Sequence, residues 1–162
     1  MNQSLQNNNT EKNLVLLKKR ALYYLGKREY SREELHKKIT PFSEILELTR
    51  QQVNQILTEL ESKDWLSDRR FADQFVFSKK RKFGLKKMGY ELKMHGVDEI
   101  IIHNALNEIK SEEYNLAKNI WEKKFRKLPE NHEERLKQMR FLQSRGINSA
   151  LIHQILSGKL SE

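Results

Sequence analysis

The fold this sequence predicts is all-α, an elongated array of three tandem three-helix repeats. Three observations carry that expectation. Apolar residues recur at helical spacing almost to the C-terminus, and no stretch keeps up the two-residue alternation of a strand. The chain resembles itself at an offset of roughly fifty residues, as repeat proteins do. Charged residues make up 33% of the chain against 37% apolar ones, a balance that suits thin helical layers better than one deep core.

The elements follow in order. Residues 1–10 are rich in Asn and Gln with little to bury, and are expected to form a disordered tail. Repeat 1 is assigned to 11–64. Its first helix carries Leu14, Leu17, Ala21, Leu22 and Leu25 on one stripe. Ser31 followed by Glu34 fits a capping box, in which the serine accepts an amide and the glutamate reaches back. The helix it opens holds Leu35 and Ile39 and is expected to stop at Pro41. Thr49 and Gln52 form a second box ahead of Val53, Ile56, Leu57 and Leu60.

Repeat 2 is assigned to 65–110. Phe71, Ala72, Phe75, Val76 and Phe83 are read as one face of a helix starting near Ser67. Leu85, Met88 and Leu92 mark a short helix that Gly96 ends in a left-handed cap. Ile101, Ile102, Ala105, Leu106 and Ile109 line the next. Repeat 3 is assigned to 111–162, with Tyr114, Ala117, Ile120, Trp121 and Phe125, then Met139 and Leu142, then Leu151, Ile152, Ile155 and Leu156. Gly96-Val97-Asp98 with Ile102 and His103 matches Gly146-Ile147-Asn148 with Ile152 and His153 at an offset of 50, and Leu48-Thr49 lies 49 residues before its counterpart.

Charge is the strongest pointer to partners. Lys and Arg number 31 against 22 Asp and Glu, a formal net charge of +9. Such a surface attracts polyanions, nucleic acid first among them. The densest basic stretch holds Lys79, Lys80, Arg81, Lys82, Lys86, Lys87 and Lys93 against Glu91 alone, interrupted by Phe83 and Tyr90. Arg69, Arg70 and Arg145 join these as candidate nucleic-acid contacts. The smaller clusters, such as Lys123-Lys124, read more readily as solvated helix faces. Phe83 is expected inside; Tyr90 is left open.

Chemistry of other kinds finds no footing. There is no cysteine for a disulfide, thiolate site or nucleophile. The five histidines show no ligand spacing, so no metal is expected, and no cofactor. Gly84 to Gly89 resembles a phosphate loop superficially, but Tyr90 follows where Lys is needed. Carboxylate pairs such as Glu33-Glu34 sit where helices begin and suit the helix dipole. No catalytic residue is assigned and the protein is not read as an enzyme. No apolar run suits a signal peptide or a membrane span, so a cytoplasmic location is expected; nothing in the sequence demands a dimer, so a monomer is expected.

The landmarks together resemble the RecX family, regulators of the RecA recombinase. The similarity starts with Ala21-Leu22, Leu25, Arg28, Ser31, Glu34-Leu35 and Ile39. Its most specific part is Trp65-Leu66-Ser67-Asp68 with Phe71-Ala72. Gly84, Glu91-Leu92 and Gly96-Val97 resemble the next stretch, and Phe141-Leu142 with Arg145-Gly146-Ile147 the last. The likeness runs from about Leu14 to Leu156. Ser67 stands where the family often has an acidic residue, and Leu128 to Glu133 departs most.

The resemblance implies a protein without catalysis of its own, lying in the groove of the RecA–DNA filament. There it would dampen ATP hydrolysis, strand exchange and co-protease activity, and meet single- and double-stranded DNA. Three other readings remain: a basic helical DNA-binding protein acting without RecA, a scaffold for a protein partner unrelated to nucleic acid, and an unrecognised enzyme.

Overall fold

The computed structural model describes residues 2–158, with side chains from residue 7 onward. All its regular elements are helical: α1 (Asn2–Leu25), α2 (Arg32–Ile45), α3 (Arg50–Ser62), α4 (Asp68–Lys79), α5 (Leu85–Met94), α6 (Glu99–Asn107), α7 (Glu113–Lys124), α8 (His132–Ser144) and α9 (Ser149–Ser157). A single 3₁₀ turn at Lys110–Glu112 precedes α7. Among the described residues the nine α-helices follow one another as three triplets. α1 already begins at Asn2, inside the segment whose composition pointed to disorder. Asn and Gln are poor to middling helix formers, but no Gly or Pro breaks the run into the well-packed turns after Leu14.

Packing divides the chain into two compact units. One comprises the chain through Phe71 together with His95–Val97, the other Ala72–Met94 and the chain from Asp98 onward. In the first, α1, α2 and α3 pack around Leu17, Ala21, Leu35, Ile39, Val53, Leu57 and Leu60. Each fully buried leucine contributes about 1.5–3 kcal/mol to holding the three helices together. In the second, α5 lies on α6, and α7, α8 and α9 enclose Ala117, Ile120, Trp121, Leu142, Ile152 and Leu156.

The helix starts follow local chemistry. Thr49 and Gln52 close the full capping box. Asp98 and Asn148 cap α6 and α9, accepting from the Ile100 and Leu151 amides. Gly96 and Gly146 take left-handed conformations, φ +74° and +78°. At the corresponding place of the first repeat, 49 residues before Gly96, stands Glu47, also left-handed at φ 53°.

Three expectations are corrected. The Ser31 box is half closed: Ser31 Oγ accepts from the Glu34 amide, but the Glu34 carboxylate is held by the Arg28 fork at 2.8 and 3.0 Å. A second carboxylate arrives from far along the chain instead, Asp68 Oδ1 accepting from the Arg32 amide at 2.7 Å. α2 also runs through Pro41 to Ile45. Proline costs a helix one backbone bond, but Ile39 and Phe42 on either side of it are packed on the core and hold the last turns. α4 ends at Lys79, so Phe83 lies in the following turn rather than on the helix.

Candidate nucleic-acid interface

The densest basic stretch folds as the end of α4, a tight turn and the start of α5, all in the second unit. The Lys80 amide donates to Val76 O, and those of Lys82 and Phe83 donate to Lys79 O, so the turn stays tied to the helix end. Cations there meet the negative end of the α4 dipole, which favours them.

What gathers the site is a backbone clasp. The Gly84 amide donates to the Arg145 carbonyl at 2.7 Å. A Cβ on Gly84 would stand 2.5 Å from Gly146 O, and one on Gly146 2.3 Å from Lys87 Cβ. Only glycine permits such an approach at both places, and it binds the α4–α5 turn to the α8–α9 turn.

The clasp brings three of the candidate cations around one ring. Lys87 Nζ lies 4.3 Å from the Phe83 centroid, and Lys79 Nζ and the Arg145 guanidinium each 5.9 Å. Arg145 also sits 5.1 Å from the Phe141 ring. Phe83 is therefore half-buried beneath cations, not enclosed as expected. Like charges this close repel, and the negative ring face offsets part of that repulsion without a carboxylate. Among the described residues no salt bridge engages Lys79, Arg81, Lys82, Lys86, Lys87 or Arg145.

Two cations that the charge reading had set aside join the group. Lys123 and Lys124, in the last turn of α7, line a depression of ≈ 240 Å³ with Arg81, Lys82 and Arg145, floored by Ile120 and Phe141. The double-lysine run was visible in the sequence, but nothing local ties it to Arg81. A second depression of ≈ 650 Å³ lies between Lys86, Lys87 and Tyr90 and the start of α9. Tyr90 is exposed there.

The remaining candidates stand differently. Lys80 pairs with Glu112 at 3.5 Å, and Lys93 with Glu99 at 3.1 Å on the open surface, where such pairs exchange readily for a stronger anion. Arg69 and Arg70 belong to the first unit. Arg69 is exposed, while Arg70 bonds Glu29 and Asp64, both at 2.9 Å. Glu29 beside it, more than Asp64, raises the guanidinium pKa further. Half-buried Asp68, which caps α2, has its carboxyl pushed up by burial, the amide bond opposing this only in part. Among the described residues no three His, Cys, Asp or Glu side chains converge as metal ligands would, and no helix is long and apolar enough to cross a membrane.

Fold and site together define a helical-repeat protein of three-helix units carrying a clasped cationic surface. Residues 67–106 match the second three-helix domain of RecX, and residues 111–156 the third. The regulatory protein RecX of Chromobacterium violaceum is 39% identical over 142 residues, covering 88% of this chain and 90% of that one. That of Ralstonia pickettii is 37% identical, covering 88% and 87%. The chain belongs to the RecX family. Its fold is similar to the crystal structure of RecX from Lactobacillus salivarius, with TM-score 0.74 at 19% identity over 91% of this chain and 96% of that one. A second regulatory protein RecX structure gives 0.80 at 19% identity, over 98% and 78%.

Proposed function

We propose that this chain regulates the RecA recombinase by binding the RecA–DNA filament, mainly inhibiting ATP hydrolysis, strand exchange and co-protease activity during DNA repair in the cytoplasm. The relatives' description as regulatory proteins supports regulation over catalysis. The observation that carries the site is the gathering of Lys79, Lys87 and Arg145 around Phe83 with no carboxylate to neutralise them. Cations held together without acidic partners have already paid their mutual repulsion, and a phosphate backbone or an acidic protein surface relieves it.

In this reading the chain works as a monomer and contributes no chemistry. It meets single- or double-stranded DNA and recombinase together, and the contact at Lys79, Lys80, Arg81, Lys82, Lys86, Lys87 and Arg145 slows the filament's conformational cycle. Each phosphate neutralised steepens the log-log salt dependence by about 0.7 for single strands and 0.9 for duplex.

Replacing Lys79, Lys80, Arg81 and Lys82 by glutamate tests the face. The variant is expected to keep its thermal melt and lose much of its inhibition of RecA. Full inhibition by this variant would remove the face from the account. A plain DNA-binding protein acting without RecA is the second reading, favoured by the same unpaired cations. It requires tight DNA binding at physiological salt with no effect on the recombinase.

A further inference from the structure

The first unit carries a second group of cations and rings that the account above leaves unused. From Lys12 to Arg28 the chain holds six Lys or Arg and no Asp or Glu. Lys18 is taken by Glu59 and Arg28 by Glu34, while Arg20 and Lys27 make no salt bridge among the described residues. Arg20 and Tyr23 share one face of α1 by their helical spacing, and Lys27 lies in the turn that follows the helix. The Tyr23 ring projects from the helix, 55% exposed. Lys27 Nζ lies 4.2 Å from its centroid and the Arg20 guanidinium 6.0 Å. Tyr24 meets it edge-on at 5.7 Å.

The frame around the ring is anchored. Tyr24 and Phe42 pack on the unit's core. Arg20 lies 5.6 and 5.4 Å from their centroids, and Lys38 on α2 adds a further charge 5.5 Å from Tyr24. A solvated surface needs neither an outward aromatic ring nor cations pinned beside it. A ring flanked by cations, with no Asp or Glu between Lys12 and Arg28, is the arrangement that holds unpaired nucleotides: bases stack and phosphates meet charge.

We propose that the α1–α2 face centred on Tyr23 is a second nucleic-acid contact, a platform on which one unpaired base stacks while Arg20, Lys27 and Lys38 meet the flanking phosphates. An exposed ammonium over a ring corresponds to a factor of about two to five in affinity, and a stacked base to a factor of at least about five. The base therefore displaces Lys27 from the ring, and the freed ammonium turns to a phosphate. This deepens the reading above and rests on its claim that the chain meets nucleic acid, but not on the recombinase.

The test is made on the full chain without RecA. Fluorescence anisotropy follows binding of a labelled oligo(dT), an abasic strand of equal length and a closed hairpin duplex, at several salt concentrations. Tyr23→Leu keeps bulk and helix preference but removes the ring, and Tyr23→Phe restores the ring. The leucine variant is expected to bind oligo(dT) at least about fivefold more weakly, with salt slope unchanged, and to bind the abasic strand and hairpin as before. The phenylalanine variant should match the unmodified protein, and Lys27→Gln should lower the oligo(dT) slope by about 0.7.

Oligo(dT) binding by Tyr23→Leu within twofold of the unmodified protein would overturn the platform. So would an equal loss on the abasic strand. Tyr23-dependent uptake by phosphatidylglycerol vesicles without Tyr23-dependent oligo(dT) binding would assign the face to lipid instead. A failure of RecA inhibition leaves all these outcomes readable.

Discussion

Gly84→Ala should damage the second unit out of proportion to one methyl group. The new Cβ would lie 2.5 Å from Gly146 O, 2.7 Å from its carbonyl carbon and 2.9 Å from the Ile147 amide nitrogen. All three are backbone atoms, so no side-chain rotation relieves the clash. The turns must part, and the Gly84 amide loses the Arg145 carbonyl it holds at 2.7 Å. Overpacking costs about 1–3 kcal/mol and a stranded buried amide about 1–3 more, giving a loss of about 2–6 kcal/mol. Gly89→Ala is the control. Its Cβ would meet only side-chain tips, Leu106 at 3.2 Å and Ile102 at 3.8 Å, inside α5, where alanine is favoured by up to about 1 kcal/mol. The chain has two tryptophans, Trp65 in the first unit and Trp121 in the second, so a Trp65→Phe background leaves Trp121 to report urea unfolding of the second unit alone. Gly84→Ala unfolding within about 0.5 kcal/mol of its parent would refute the clasp.

Two further substitutions probe the first unit. Glu47→Gly should raise stability by about 0.5–1 kcal/mol, because Glu47 holds φ 53° where the later repeats use glycine; a loss on urea unfolding would show the side chain matters more than the backbone. Asp68→Ala should cost about 1 kcal/mol by uncapping α2, whereas Asp68→Asn keeps an acceptor for the Arg32 amide. Burial raises the Asp68 pKa, so the folded state holds this proton more tightly than the unfolded chain. Native stability is therefore penalised as pH rises from the ordinary 3.8 through the raised value, and Asp68→Asn, which escapes the penalty, should gain on the parent across that window. Parallel stability curves would contradict it.

The sequence could be read wherever the cause was local. Thr49 caps with its own side chain the helix it precedes, and Gly96 ends α5, so short windows sufficed. Pro41 was misread because what carries α2 past it is packing of Ile39 and Phe42, which no window contains. The same limit divided the site. The Lys79–Lys87 run was plain, but its union with Arg145, Lys123 and Lys124 depends on a backbone bond between Gly84 and Arg145, remote in sequence. Counting charge could not separate Arg70, engaged by Glu29 and Asp64, from the cations left unpaired. That the Asp68 carboxylate, at the start of α4, serves α2 follows only from the fold.

The most direct test of the central claim is RecA ATP hydrolysis on single-stranded DNA during titration with this protein, comparing nascent and preformed filaments at two salt concentrations. Hydrolysis should fall at amounts well below those that coat the DNA, and the Lys79–Lys82 glutamate variant should need far more protein for the same effect. Unchanged hydrolysis alongside ordinary salt-dependent DNA binding would contradict it and leave a basic helical protein that binds DNA without regulating the recombinase.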